Sequence, residues 1–224
     1  MWKILAIDTS SDACSAAVLS GDKVFTRFVV AKQQHNKLIL PMLSELLIEA
    51  NLLVHQLDAI AFGCGPGSFT GVRIAASIVQ GLAFAANLPV VKISTLHALA
   101  QGTFVEFGKT QCLVAQDARM QEIYWGQYQL DSTAIMQPVV PDRLLVPREV
   151  PLLSDSGYVG IGNGWKIYGD ILTESCNIEI INMVIYPQAK YIAQLAEVNL
   201  IKGLTVSAQE ALPVYLREEV AWIK

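Results

Sequence analysis

Two short stretches hold residue types that could contact an anion or a metal-bound water. The first is Gly63-Cys-Gly-Pro-Gly-Ser-Phe-Thr-Gly71, between an apolar run at residues 57–62 and a helical pattern that opens at Val72. Backbone amides at a strand-to-helix turn, backed by a helix N-terminus, attract negative charge. Gly65, Gly67, Ser68, Thr70 and Gly71 would supply such contacts, with Arg73 one turn into the helix. The standard fingerprints are missed. No Lys precedes the Ser or Thr, as a P-loop requires, and the dinucleotide spacing places Ser68 or Thr70 where its third glycine belongs. The stretch therefore reads either as an anion contact or as a structural turn, with Arg73 pairing an anion or capping a carboxylate. The second stretch is Asp8-Thr9-Ser10. A carboxylate followed by hydroxyls can orient a metal-bound water or cradle a phosphate. The same three residue types also make ordinary turns by bonding their own backbone.

Other chemistries find little support. His35, His55 and His97 are too far apart in sequence to pair as metal ligands on one helix. Ser68 is followed by Phe69, so no nucleophile elbow surrounds it. Cys14, Cys64, Cys112 and Cys176 form no C-x-x-C pair and read as buried free thiols of a reducing compartment. Neither a catalytic residue nor a metal ligand is assigned. Asp117-Ala-Arg119 with Glu122-Ile-Tyr124 could do acid–base work or form a salt-bridged turn.

The chain has 224 residues, 53% of them hydrophobic, a mean hydropathy of +0.40 and a formal charge of −4. That suits one large domain or two small lobes with at least one apolar contact surface. The 16 basic residues are scattered, the tightest group being Arg27, Lys32 and Lys37. Phosphate binding needs such charges clustered, so a strong stand-alone RNA binder is not expected. A contribution to RNA binding within a complex stays open. The start, residues 1–8, meets Asp8 too early for a signal-peptide core. The longest uncharged stretch, between Arg73 and Lys92, holds Ser77, Gln80, Asn87 and Pro89 and reads as a buried helix then a strand. The expected location is the cytoplasm, without membrane attachment.

The elements that must position these residues follow from the apolar patterning. Strands are expected at residues 3–8, 13–19 and 23–30, with Gly21-Asp22 as a hairpin signal. A helix at 33–50 contains Pro41, where a kink is expected. A strand at 57–62, a helix at 72–86, a strand at 89–93 and a helix at 95–107 complete a βββαβαβα order. A weaker echo has strands at 111–116, 122–130, 135–140, 158–161 and 178–181. It also has a short helix after Gly162-Asn-Gly-Trp165, an amphipathic helix at 188–202 and an extended tail at 213–217. Gly108 marks the break between an N-terminal lobe, 1–107, and a smaller C-terminal lobe, 108–224.

Six motifs in this order resemble the TsaB (YeaZ) family. They are Ile4-Leu-Ala-Ile-Asp-Thr-Ser10, Gly65-Pro-Gly-Ser-Phe-Thr-Gly-Val-Arg73, Ile93-Ser-Thr-Leu96, Asp117-Ala-Arg119 with Glu122 to Tyr124, Gly162-Asn-Gly-Trp165 and Pro213-Val-Tyr-Leu-Arg217. The resemblance implies an α/β, actin-like (ASKHA, ribonuclease H-like) fold of two lobes with a duplicated βββαβαβα core, the second reduced. It implies a non-catalytic subunit that works with the catalytic TsaD and the ATPase TsaE. The reaction transfers threonylcarbamoyl, from an adenylate made by TsaC, to the adenosine beside the anticodon of tRNAs reading codons that begin with A. TsaD-like chains carry a His-x-x-x-His metal motif, which this sequence lacks. Gly160-Ile-Gly-Asn-Gly164 reads as a turn rather than a second phosphate loop. The implied arrangement is therefore no intrinsic cofactor, ATP or ADP only within the complex, and tRNA contacted indirectly. The apolar and small residues Leu38, Met42, Ala75, Ala76, Val79 and Ala83 are candidates for the partner surface, or else face their own sheet. An isolated homodimer is compatible with such a surface. The rival readings are an independent actin-like ATPase or small-molecule kinase with Asp8 or Asp117 as base, and a peptidase, for which the sequence offers no site.

Overall fold

A computed structural model describes residues 1–151, 157–175, 178–183 and 185–217. The chain runs β1 (Lys3–Asp8), β2 (Ala13–Ser20), β3 (Lys23–Val30), α1 (His35–Glu49), β4 (Ala59–Gly63), α2 (Phe69–Ala86), β5 (Val90–Ile93) and α3 (Thr95–Phe107). It continues through β6 (Gln111–Arg119), β7 (Glu122–Leu130), β8 (Met136–Pro138), β9 (Arg143–Leu145), β10 (Val159–Ile161), α4 (Asn163–Ser175), β11 (Glu179–Ile180) and α5 (Ala189–Ile201).

The first sheet has the order β3-β2-β1-β4-β5. Its first three strands are antiparallel and β1, β4 and β5 are parallel. The second sheet follows the same plan, β8-β7-β6-β10-β11, with β9 added on β7 and the same alternation of antiparallel and parallel pairs. This is the α/β actin-like architecture, with the duplication expected. The second copy is reduced: among the described residues no α-helix joins β8 to β10, where α1 joins β3 to β4.

The chain forms two compact units, Met1–Ala98 with Tyr186–Pro213 and Leu99–Ile185 with Val214–Lys224. The expected break at 107/108 differs from this division at both helices that close a repeat. Most of α3 belongs to the second unit, where Gln101 accepts from Met136 N (2.9 Å) and donates to Ala134 O (3.2 Å). Helix α5 belongs to the first, where it packs on β1, β2, β4 and β5. Its apolar residues Ala189, Ile192, Ala193, Leu195 and Ala196 are buried there, and Ala189 N donates to Ser15 Oγ at 2.8 Å. After α5, Val206 exchanges two backbone hydrogen bonds with Val90 (2.9 and 2.8 Å) and covers the β5 edge.

Strand β1 is buried on both faces, as a central strand of such a sheet must be. Leu5 and Ile7 join Cys14, Ala16 and Val18 in a core closed by Ile39, Leu43 and Leu46 of α1 and by one face of α2. Helix α1 continues through Pro41 as one element. Helix α2 is long and apolar enough to meet the length and composition of a membrane span, yet Ala75, Ala76, Val79 and Ala83 lie in this core. Asn87 caps it in the left-handed conformation, φ 52°. On the solvent side of α2, a Cβ added at Gly81 would meet nothing within 4 Å. Gly81→Ala is therefore expected to raise stability by about 0.5–1 kcal/mol, the ordinary helix-interior difference, read as a higher thermal midpoint.

In the second unit, Leu113, Ala115, Ile123, Trp125, Tyr158 and Trp165 form the core. The Trp125 and Trp165 rings lie 5.9 Å apart, and Trp165 Nε1 donates to Leu113 O at 3.0 Å.

Candidate functional site

Strands β1 and β4 are parallel neighbours, with Ile7 opposite Phe62. Their C-terminal ends therefore bring the Asp8 turn and the Gly63–Gly71 loop to one place. The two candidate stretches, separate in sequence, touch each other. Ser68 N donates to Ser10 O at 2.7 Å, and Thr9 Oγ1 donates to Gly71 O at 2.7 Å. Thr95, at the start of α3, holds the loop from the other side: its N donates to Gly65 O at 3.0 Å and its Oγ1 to Pro66 O. The Gly65–Pro66 peptide bond is cis.

The glycines are there for contact. A Cβ on Gly63 would stand 1.9 Å from Asp8 Oδ2, and one on Gly71 would stand 1.9 Å from Thr9 O. One on Gly67 would be 2.6 Å from Ser10 O. All three distances are far inside van der Waals contact, so the loop and the turn can pack only without side chains at these positions.

Burial follows from that packing. Asp8 and Thr9 are 0% exposed and Ser10 4%. The Asp8 carboxylate accepts from Ser10 N (3.0 Å) and Ser10 Oγ (2.9 and 3.1 Å). Burial pushes its pKa up to about 7, the Ser10 hydrogen bonds offsetting only part of the lost hydration. The expectation that Asp8, Thr9, Ser10, Gly65, Gly67 and Gly71 meet a phosphate is thus altered. In this closed joint the turn is covered, Ser68 N is engaged, and an anion would face a buried carboxyl. Ser68, Thr70 and Arg73 alone of the set are exposed. Ser68 caps α2, its Oγ accepting from Gly71 N at 3.4 Å. The Arg73 guanidinium lies 3.5 Å from the centre of the Phe69 ring.

The expected partner surface also needs correction. Ala75, Ala76, Val79 and Ala83 are 0–3% exposed and face their own sheet, while Leu38 and Met42 are half-buried against the same core. Small residues lie inward because α2 packs close to β4 and β1. The residues that border solvent here are larger, with Ile74 and Ile78 half-buried against the same core. Leu40 of α1 with Phe69, Arg73, Ile74, Ser77 and Ile78 of α2 line most of an open groove of about 480 Å³. Leu40 and Phe69 are 53% and 54% exposed, and Ile48 and Phe84 are 77% and 71% exposed elsewhere on the two helices. Arg73 was a sequence candidate as an anion contact, and sequence reading missed the apolar residues beside it because α2 is apolar on nearly every side. The sizes of its side chains, alanine inward and phenylalanine outward, were the available signal.

In the second unit Asp117 and Arg119 form an ion pair at 3.2 Å in the β6–β7 turn. Asp117 N donates to Asn163 Oδ1 at 2.8 Å, and Tyr168 OH donates to Asp117 Oδ1 at 3.3 Å. Arg217 of the extended tail donates to Ala118 O at 3.2 Å and pairs with Glu122. This is a salt-bridged turn. Gly162 and Gly164 of the adjacent loop pack against Ala115. His35 Nε2 lies 2.8 Å from Ser11 O. Among the described residues no three His, Cys, Asp or Glu side chains converge on a metal-sized site. Burial pushes the Cys14 and Cys112 thiols up to about 11 and 12, far from thiolate chemistry. Cys64 is also buried, and Cys176 lies outside the described residues.

Residues 29–224 match the sequence model of TsaD, tRNA N6-adenosine threonylcarbamoyltransferase. The tRNA threonylcarbamoyladenosine biosynthesis protein TsaB of Escherichia coli K12 is 40% identical over 225 residues, covering 99% of this chain and 97% of that protein. Its namesake in Haemophilus influenzae is 38% identical over 230 residues, covering 99% and 96%. The structure of YeaZ from Pseudomonas aeruginosa superposes with a TM-score of 0.89 at 40% identity, covering 96% of this chain and all of that one.

Proposed function

The chain belongs to the TsaB (YeaZ) family of tRNA threonylcarbamoyladenosine biosynthesis proteins, and on that premise we propose that it is a non-catalytic scaffold and activator of threonylcarbamoyl transfer. Its place is beside a TsaD-like catalytic chain and a TsaE-like ATPase in the cytoplasm. The product is the modified adenosine next to the anticodon of tRNAs reading codons that begin with A. The chain meets tRNA through its partners, and any ATP or ADP binds within the complex rather than to the lone chain. In isolation the same surface supports a homodimer.

The observation that carries this reading is the groove between α1 and α2. Large apolar side chains stand exposed there, whereas the Asp8 turn, where a catalytic nucleotide would be sought, is packed shut. Exposed apolar clusters of this kind mark protein–protein contacts. The catalytic partner is the occupant that suits it, because a chain of the same fold can offer an equivalent helix pair.

The test is reconstitution of tRNA modification from purified components, with this chain omitted and then restored. Product is expected only with the chain present, and no phosphate release is expected from the chain alone. Ile78→Asp is expected to fold, because Ile78 is only half-buried, and to lower modification at least tenfold by placing a charge in the contact. Modification at full rate without the chain, or nucleotide hydrolysis by the lone chain, overturns the reading.

A further inference from the structure

We propose that the outer edge of β3 pairs with β3 of a second copy of this chain, antiparallel about a twofold axis at Thr26, so that two five-stranded sheets join into one. Val206 covers the β5 edge of the sheet, whereas β3 ends the strand order with no strand on its outer side among the described residues. The bond from Ala31 N to Asp12 O continues the β2–β3 ladder and fixes its alternation: residues 23, 25, 27 and 29 bond β2. Val24, Thr26, Phe28 and Val30 therefore turn their backbone N–H and C=O groups outward. Thr26 O accepts from Arg27 Nη1 at 3.0 Å, and a carbonyl has room for a second donor. Three devices that usually protect an edge, short length, proline and a bulge, are absent: β3 has eight residues, no proline and an unbroken register with β2. Val24, Phe28 and Val30 are 39%, 43% and 48% exposed along it.

Charge selects both the occupant and the register. With Arg27 on the axis, two guanidiniums would face each other in the closer, non-hydrogen-bonded kind of pair, which is unfavourable. With Thr26 on the axis, Thr26 meets Thr26 and Val24 meets Phe28, engaging the outward backbone groups of all three residues on both copies. Arg27 holds two carboxylates, Glu45 at 3.1 Å and Glu49 at 2.8 Å, which leaves one acid in excess on that face. In this register Lys23 of the second copy arrives opposite Val29, two residues from Arg27 on the same face, and meets that excess. The helices do not obstruct the pairing. Helix α1 packs mainly on β2, and three strand spacings, about 14 Å, would separate β2 from its counterpart, more than the roughly 8–10 Å that packed helices need. By helical spacing Glu45 and Glu49 stand about half a turn around α1 from Asn36 and Leu40, so the pairing leaves the α1–α2 groove open.

The test is sedimentation of the full chain carrying Ile78→Asp, which blocks the groove so that only the edge is read. This chain is expected to form a reversible dimer. Adding Thr26→Lys, at an exposed position, sets two ammonium groups across the axis and should weaken association about tenfold or more. Thr26→Glu in place of Thr26→Lys should do the same. An equimolar mixture of the Lys and Glu chains should recover the dimer, because opposite charges then face each other. If the Ile78→Asp chain is a monomer at every concentration, the groove alone joins copies and edge pairing falls. Association of the Thr26→Lys chain within twofold of its Ile78→Asp parent overturns the inference, and so does a mixture no tighter than either charged chain. Self-association that survives Ile78→Asp undiminished but is lost with Thr26→Lys supports the edge and counts against the groove.

Discussion

Asp8→Asn should unfold at a distinctly higher denaturant concentration than the parent at pH 8, and at nearly the same one at pH 4. Asp8 is wholly buried and its hydrogen-bond partners are the amide and hydroxyl of Ser10. Its pKa rises from the ordinary 3.8 to about 7 in the folded chain, because burial removes water from the charge. The sign follows from linkage. Below about pH 4 the carboxyl is neutral in both states and its contribution is fully present. Between there and about pH 7 only the unfolded chain ionises freely, so stability falls as pH rises, and above 7 the penalty is constant. Three pH units correspond to about 4 kcal/mol as an upper bound, and about 2–4 kcal/mol is the expected gain for the amide at pH 8. The amide is isosteric, and the Ser10 hydroxyl can turn to accept from it. Urea titrations at the two pH values read the difference, with groups common to both proteins cancelling. Parallel pH curves would mean that Asp8 finds compensation in the folded chain. The same variant separates functions: a scaffold keeps its activity in the reconstituted reaction, whereas an enzyme using Asp8 as base loses it.

Gly71→Ala is expected to be among the most damaging single changes in the first unit. Its new methyl would stand 1.9 Å from Thr9 O, a backbone atom in a buried turn. To relieve that clash the loop must lift, which breaks the Thr9–Gly71 hydrogen bond and strains that from Ser68 to Ser10, each 2.7 Å long. Overpacking together with lost buried hydrogen bonds predicts a loss of about 3 kcal/mol or more. Thermal unfolding measures it directly. Gly81→Ala, ten residues along the same helix and facing open space, should move the midpoint the opposite way. A mild effect at Gly71 would show that the joint opens easily and would reopen the turn to anions.

The elements written by local pattern were legible. Strands β1 to β3 were marked by apolar runs and hairpin residues, and α1, α2, α3 and α5 by helical spacing. What the sequence concealed was destination. The pattern of α5 says that one face is buried, and nothing in it names the sheet of the first unit as the cover. Alanines 75, 76, 79 and 83 suit a helix–helix contact as well as a helix–sheet contact, and only the close approach of α2 to β4 and β1 decides between them. Strand β9, three residues long, is too short to show a period. The site was legible as two lists of residues. That the lists close on each other follows from the pairing of β1 with β4, a contact some fifty residues distant along the chain.

The return of α5 to the first sheet sets an order of events during synthesis. Strand β5 ends at residue 93, while the helix that completes its unit ends at 201. At ribosomal speeds of about 5–20 residues per second, the interval is roughly 5–20 s. Throughout it the growing polypeptide carries one apolar sheet face without its cover. The half that begins first therefore stays open until most of the chain has been made, and a message truncated before residue 186 would release a chain unable to finish either its sheet face or the β5 edge.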